Sequence, residues 1–221
     1  MPLHKILHTP TGATIGVWHL TENEQELMAM YPEADELLRQ VDERFTAVTR
    51  RLEFVAVRIL FYTLLQRILP IGYRVTGAPH VLDDSLQISI SHTVRRSVRY
   101  VSVIYHPTHA VGVDIEAVAP NVERIRSHFM HPTETAENLT QLLLCWSGKE
   151  TVYKVMDNPQ AVDFVRSLHV QPFVCPAESK QGSFVVQEQV SEDKKEYRVD
   201  YEVEPDFVLT WTEASCPQTR K

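Results

Sequence analysis

The sequence predicts an α+β fold made of two similar halves, each a small antiparallel sheet packed on helices, and three observations predict it. Short alternating runs such as "VGVDIE", "YRVDYEV" and "FVLTWT" have strand periodicity, whereas "RRLEFVAVRILFYTLL" and "QLLLCWSGKETVYK" repeat apolar residues at helical spacing. An offset of 96 residues aligns Ile15-Gly16-Val17-Trp18 with Val111-Gly112-Val113-Asp114, and "RRLEFVAVR" with "WSGKETVYK", as two fused related subdomains would. The run "YHPTHA", where Pro107 lies between histidines, marks the break, giving an amino-terminal half of residues 1–106 and a carboxy-terminal half of residues 107–221.

In chain order, "TENE" at Thr21 to Glu24 reads as a capping box opening a helix through about Arg39. A second helix runs from about Asp42 to Leu69, where Pro70 ends it. The strand-like "LQISIS" falls opposite "GSFVVQ" at the same offset. In the second half a helical stretch begins near Thr133, and Asn158-Pro159 closes it. "YRVDYEV" and "FVLTWT" then read as antiparallel strands, and the tail after Glu213 is polar.

With 221 residues and 43% hydrophobic content the chain can bury a proper core. Cys145, Cys175 and Cys216 are an odd number without C-x-x-C spacing, which argues against a disulfide framework or structural zinc and for reduced thiols. Neither a signal-peptide core nor an uninterrupted apolar span is present, so the expectation is a soluble, cytoplasmic protein away from membranes. The net charge of -7 excludes bulk attraction to nucleic acid. Residues 44–74 nevertheless hold six arginines, among them Arg50, Arg51, Arg58 and Arg74, against the single acid Glu53. Such a patch suits a compact polyanion bound by guanidinium forks. Its plainer reading is a solvated helix face whose arginine stems cover apolar neighbours.

Three acids stand out as candidate ligands. In "VGVDIE" the alternation sends Val111, Val113 and Ile115 one way and Gly112, Asp114 and Glu116 the other. Asp114 and Glu116 thus share a face with Cα atoms roughly 7 Å apart. Glu150 lies on the helix of "WSGKETVYK", with Lys154 one turn further on. Three hard oxygen donors suit Mg²⁺ or Mn²⁺ holding phosphates. The plainer readings are an edge strand with a wet acidic face and an ordinary i, i+4 pair between Glu150 and Lys154, contributing roughly 0.2–0.5 kcal/mol. The two H-x-x-H spacings, His106 with His109 and His128 with His131, are interrupted by Pro107 and Pro132, which argues against a helical zinc site. Trp18, Trp146 and Trp211 read as core aromatics.

The motifs together resemble those of the larger, surfactin-synthetase-type 4'-phosphopantetheinyl transferases. The residues that carry the resemblance are Gly112-Val113-Asp114-Ile115-Glu116, then Trp146-Ser147-Gly148-Lys149-Glu150-Thr151-Val152-Tyr153-Lys154, and Ser91-His92 in "ISISHT". "RRLEFVAVRILFYTLL" resembles the family's arginine-bearing helix, and "VTGAPHVL" its G-K-P turn, with Ala78 where the family carries lysine. Thr151 stands where a small residue is usual.

The resemblance implies a pseudodimer that acts as a monomer and transfers the phosphopantetheine arm of CoA to a serine of an apo acyl or peptidyl carrier protein, releasing 3',5'-ADP. It implies Mg²⁺ on Asp114, Glu116 and Glu150, CoA contacts from Arg51, Arg58, Ser91, His92 and Lys154, and catalysis by Glu150 and Lys154. Either Glu150 or a water accepts the serine proton. A homologue that only binds CoA or carriers is the rival reading, with Ala78 its one hint, and a divalent-metal nucleotide hydrolase is a third.

Overall fold

The computed structural model describes residues 2–95, 98–119, 121–156, 162–176 and 180–214. Strand β1 (Leu3–His8) pairs with β2 (Thr14–His19), and three helices follow: α1 (Glu24–Met28), α2 (Ala34–Arg44) and α3 (Val48–Leu65). A two-stranded ribbon, β3 (Ile71–Tyr73) with β4 (Pro79–Val81), leads to β5 (Gln87–Arg95) and β6 (Val98–His106). The chain then forms β7 (Ala110–Ala117), α4 (Asn121–Arg124), α5 (Leu139–Tyr153), β8 (Leu168–Val170), β9 (Gln181–Glu188), β10 (Glu196–Val203) and β11 (Phe207–Ala214). Among these residues no helix is long and apolar enough to cross a membrane.

Two small antiparallel sheets result. One has the order β1-β2-β6-β5, the other β7-β11-β10-β9-β8. Both contain the same local path: a strand, a long helix, and two later strands of which the last inserts beside the first (β2, α3, β5, β6 and β7, α5, β10, β11). In this path β5 corresponds to β10, whereas the 96-residue offset sets "LQISIS" against "GSFVVQ" of β9. The segment between α5 and β10, residues 154–195, is longer than the one between α3 and β5, residues 66–86, and this displaces that part of the alignment.

Three apolar cores hold the layers. The first joins α1 to α3 to the first sheet, with Leu27, Val41, Val55, Leu60 and Val103 fully or almost fully buried. The second joins α5 to the second sheet through Leu144, Val152, Leu168, Val186 and Val199. The third lies between the sheets, where Ile15, Val17 and Ile104 meet Val113, Ile115 and Leu209. Strand β7 therefore has apolar residues on its 111-113-115 face because that face is the inter-sheet core. Its other face meets α5 and is largely dry: Asp114 is only 4% exposed.

Strand β5 meets β7 through side chains. Ser89 Oγ, Ser91 Oγ and Thr93 Oγ1 accept from the backbone N–H groups of Val113, Ile115 and Ala117 at 3.1–3.2 Å. Alternate hydroxyls on one strand thereby satisfy alternate amides on the other. This join sets Ser91-His92 beside Asp114.

Helix boundaries differ from the sequence expectations for identifiable reasons. The capping box uses Asn23 with Glu26 rather than Thr21 with Glu24, and the helix stops at Met28 because Tyr31 precedes Pro32. Helix α2 ends at Arg44, and the extended backbone of its C-cap Phe45 lets that ring pack on Phe54 with centroids 5.2 Å apart. Helix α3 begins at Val48 and ends at Leu65, before Pro70, with Gln66 in a left-handed C-cap. Helix α5 starts at Leu139 with Asn138 as its cap, because residues 131–137 are turned around Glu134. Asn158-Pro159 lies outside the described residues, as does Cys216; Cys145 and Cys175 are free thiols.

Candidate active site

A cleft of about 540 Å³ lies where the two sheets meet. From the first sheet and α3 it is lined by Arg50, Glu53, Ser91 and His92, and from β7 and α5 by Asp114, Glu116, Glu150 and Lys154.

Asp114 is its best-connected group. Oδ1 accepts from Ser91 Oγ at 2.8 Å and from Lys154 Nζ at 3.0 Å, and Oδ2 accepts from Ser147 Oγ at 2.8 Å. Lys154 Nζ also donates to Val113 O at 2.7 Å. Lys154 thus reaches across to β7, and its ion pair is with Asp114 at 3.0 Å rather than with Glu150 one turn before it. Behind Asp114, Ser147 Oγ is 2.8 Å from Thr210 Oγ1, which is 2.6 Å from Thr151 Oγ1. The threonine at 151 is accommodated there because β11 supplies a hydroxyl partner.

The close approach of α5 to β7 depends on Gly112, where an added Cβ would sit 2.2 Å from the backbone oxygen of Thr151. Gly16 on β2 plays the matching part, since a Cβ there would come within 2.8 Å of Leu60 on α3.

Glu116 accepts from the Trp146 indole N–H at 2.8 Å. Its carboxyl is pushed up to about 7, first by burial and then by the charges of Asp114 and Glu150, against the indole bond and Lys154. Glu150 is likewise raised to about 7, by burial and then by Asp114, with Lys154 opposing. Asp114, Glu116 and Glu150 therefore share one wall of the cleft with Lys154. The donor set fits a hard divalent cation, which would relieve this mutual repulsion. Their oxygens are not gathered within 4.8 Å of one another; among the described residues a trio that close is His106, His109 and Glu213.

That trio comes together because the turn at Pro107 folds His109 back, stacking the two rings 4.3 Å apart. Its protonation argues against a metal. His106 Nδ1 accepts from the N–H groups of Thr108 and His109 at 2.9 and 2.7 Å, so the ring proton of neutral His106 is on Nε2, which faces Thr11 O at 3.0 Å. His106 is a turn-capping residue with no free lone pair.

Two of the arginines expected at CoA, Arg51 and Arg58, are not among the residues that line the cleft. Arg51 does not line the cleft: it donates to Glu24 at 2.6 and 2.7 Å and pairs with Asp42 at 2.7 Å, which raises its pKa. Arg58 is buried beneath the cleft, its guanidinium carbon 3.2 Å from the Phe54 ring centroid and Nη1 donating to Phe54 O at 3.1 Å, and burial lowers its pKa. The arginine of α3 that faces the cleft is Arg50. Ser91, His92, Asp114, Glu116, Glu150 and Lys154 all line it.

Sequence reasoning did not assign Arg50, Glu53, Ser147 or Thr210 to the site, and it read Trp146 only as a core aromatic. A signal existed for Ser147 and Trp146, which lie three and four residues before Glu150 on the same helix. None existed for Thr210, which faces Asp114 only through strand pairing.

Lys149, the other motif lysine, is fully buried away from the cleft. Its Nζ donates to Glu134 Oε2 at 2.8 Å and to the carbonyls of Phe129 and Phe164 at 2.6 and 3.1 Å. It ties α5 to the chain segments around it.

No curated protein matches the chain. The segment that supplies Asp114, Glu116, Glu150 and Lys154, residues 110–210, is matched by the model of the 4'-phosphopantetheinyl transferase superfamily.

Proposed function

We propose that this chain is a Mg²⁺-dependent 4'-phosphopantetheinyl transferase of the pseudodimeric, surfactin-synthetase type, acting on apo acyl or peptidyl carrier proteins. The observation that carries the reading is the cleft itself, which sets basic Arg50 and His92 opposite Asp114, Glu116, Glu150 and Lys154. One wall suits the 3'-phosphate of CoA and the other its pyrophosphate, whose charge a divalent ion held by the acids would neutralise. The duplication is supported by the shared strand-helix-strand-strand path and by Gly16 and Gly112, which hold the same place in it.

Asp114, Glu116 and Glu150 would hold the ion, which when bound neutralises charge on the pyrophosphate. Lys154, anchored by Val113 O and Asp114, presents its ammonium to the transferring phosphoryl group. Glu150, one turn earlier on α5, accepts the proton of the acceptor serine as its Oγ attacks phosphorus. The phosphorus–oxygen bond to 3',5'-ADP breaks, and the arm remains on the carrier as a phosphodiester. The protein supplies positioning and charge rather than covalent chemistry.

Ala78 removes one cation from the expected set. Arg74 is the nearest replacement: its backbone N–H bonds to Ala78 O at 2.9 Å, and both residues line an adjoining cleft of about 600 Å³ that shares Lys154. Ala78→Lys is expected to lower the KM for CoA.

The test incubates the protein with CoA, Mg²⁺ and apo carriers of the acyl and peptidyl types, followed by intact-mass measurement. A gain of one phosphopantetheine on the carrier serine is expected. No gain on any carrier overturns the reading in favour of a CoA-binding homologue.

A further inference from the structure

Glu53 on α3 is a carboxylate in the basic wall of the cleft, where it subtracts charge from a site for polyanions. Its side chain is 8% exposed. Oε2 accepts from Arg50 Nη1 at 2.9 Å, and Oε1 lies 3.5 Å from His92 Nδ1. Arg50 Nη1 is 3.2 Å from His92 Nε2, closing a triangle of three side chains from α3 and β5. A guanidinium has no acceptor, so Arg50 donates to Nε2, and the ring proton is on Nδ1, the nitrogen turned toward Glu53.

Resting on the function proposed above, we infer that Glu53 is a positioning residue that aims Arg50 and His92 at the phosphates of CoA. Nearly dry, its carboxylate needs both partners, and it holds each from behind. One oxygen directs the Arg50 guanidinium, which is otherwise 59% exposed and free to swing. The other orients the imidazole through Nδ1, so that Nε2 faces the cleft, as a carboxylate behind a histidine does in metal and acid–base sites. When a phosphate enters, Arg50 donates to it, and His92, whose burial lowers its pKa while Glu53 raises it, takes a proton from solvent at Nε2 and donates it to the phosphate with Nδ1–H still turned toward Glu53. The loss of one unit of positive charge from the wall is offset by two donors held in place.

Glu53→Gln keeps the shape and removes the charge. It is expected to raise the KM for CoA about tenfold while kcat stays within about twofold, because the defect is in holding ground-state phosphates. A residue with only a structural role would lower the melting temperature without that split. In a His92→Ala background the same substitution should change KM by less than about threefold, since its effect acts through His92 as well as Arg50. Glu53→Asp, which keeps the charge but withdraws it by one methylene, should also weaken CoA binding measured by calorimetry. An unchanged KM in Glu53→Gln, or effects of Glu53→Gln and His92→Ala that simply multiply, overturns the inference. Calorimetry with CoA also separates the two proposals: wild-type protein that binds CoA tightly but transfers nothing refutes the activity, whereas active protein with CoA affinity unaltered in both Glu53 variants refutes only the role of Glu53.

Discussion

Replacing Glu150 with glutamine should stabilise the protein at alkaline pH while removing transfer. The Glu150 carboxyl is pushed from 4.5 to about 7 by burial and by Asp114. A raised carboxyl means that the folded state holds its proton more tightly than the unfolded chain does. Folding is therefore unpenalised by this group below the unfolded value of 4.5, and a cost builds as pH rises toward about 7 and is complete above it. At about 1.4 kcal/mol per pKa unit the full cost is roughly 3 kcal/mol, of which relaxation and residual water around the carboxylate leave about 1–2 kcal/mol. For a chain of this size that is a rise in melting temperature of about 2–8 °C for Glu150→Gln at pH 8, shrinking toward nothing near pH 5. Thermal unfolding at both pH values, with and without Mg²⁺, checks this. Mg²⁺ should raise the wild-type melting temperature more than that of the variant, because the ion relieves the same repulsion. A variant that melts lower than wild type at pH 8, or that shifts equally at pH 5 and pH 8, would refute the reasoning that Glu150 is a strained acid awaiting a cation.

The remaining predictions concern the scaffold of the same site. Gly112→Ala places a methyl against the backbone oxygen of Thr151, 2.2 Å away, and should cost about 2–3 kcal/mol in urea denaturation as β7 and α5 are forced apart. Lys149→Met leaves Glu134 buried without its ammonium and should cost about 3–5 kcal/mol, whereas adding Glu134→Gln should recover part of the loss. Trp146→Phe removes the indole N–H from Glu116 and is expected to weaken Mg²⁺ binding about tenfold in a titration, with little change in melting temperature.

Part of the candidate site was legible in the sequence, from spacing within each segment and from the family resemblance that joined the segments. The alternation of "VGVDIE" put Asp114 and Glu116 on one face of a strand, and helical periodicity put Glu150 and Lys154 one turn apart. All four line one cleft. The long helices and the strands β2, β5, β7, β9, β10 and β11 were readable too, because each depends on a periodicity of its own chain segment. Helix ends were read less well: Tyr31 before Pro32 splits one predicted helix, and the inward turn of Glu134 delays another.

Local sequence thus determined which residues share a strand face or a helix turn, since those relations are set by backbone geometry within a few residues. It could not determine which cations face the cleft. Arg50, Arg51 and Arg58 occupy one basic helix and look alike in sequence, yet Arg51 is captured by Glu24 and Asp42, Arg58 is buried over Phe54, and only Arg50 turns toward His92. Nor could it show that Asp114 is dry and held by Ser91, Ser147 and Lys154. Those choices depend on the join between β5 and β7 and on the pressing of α5 onto Gly112, contacts between segments far apart in the chain that exist only once both sheets have packed.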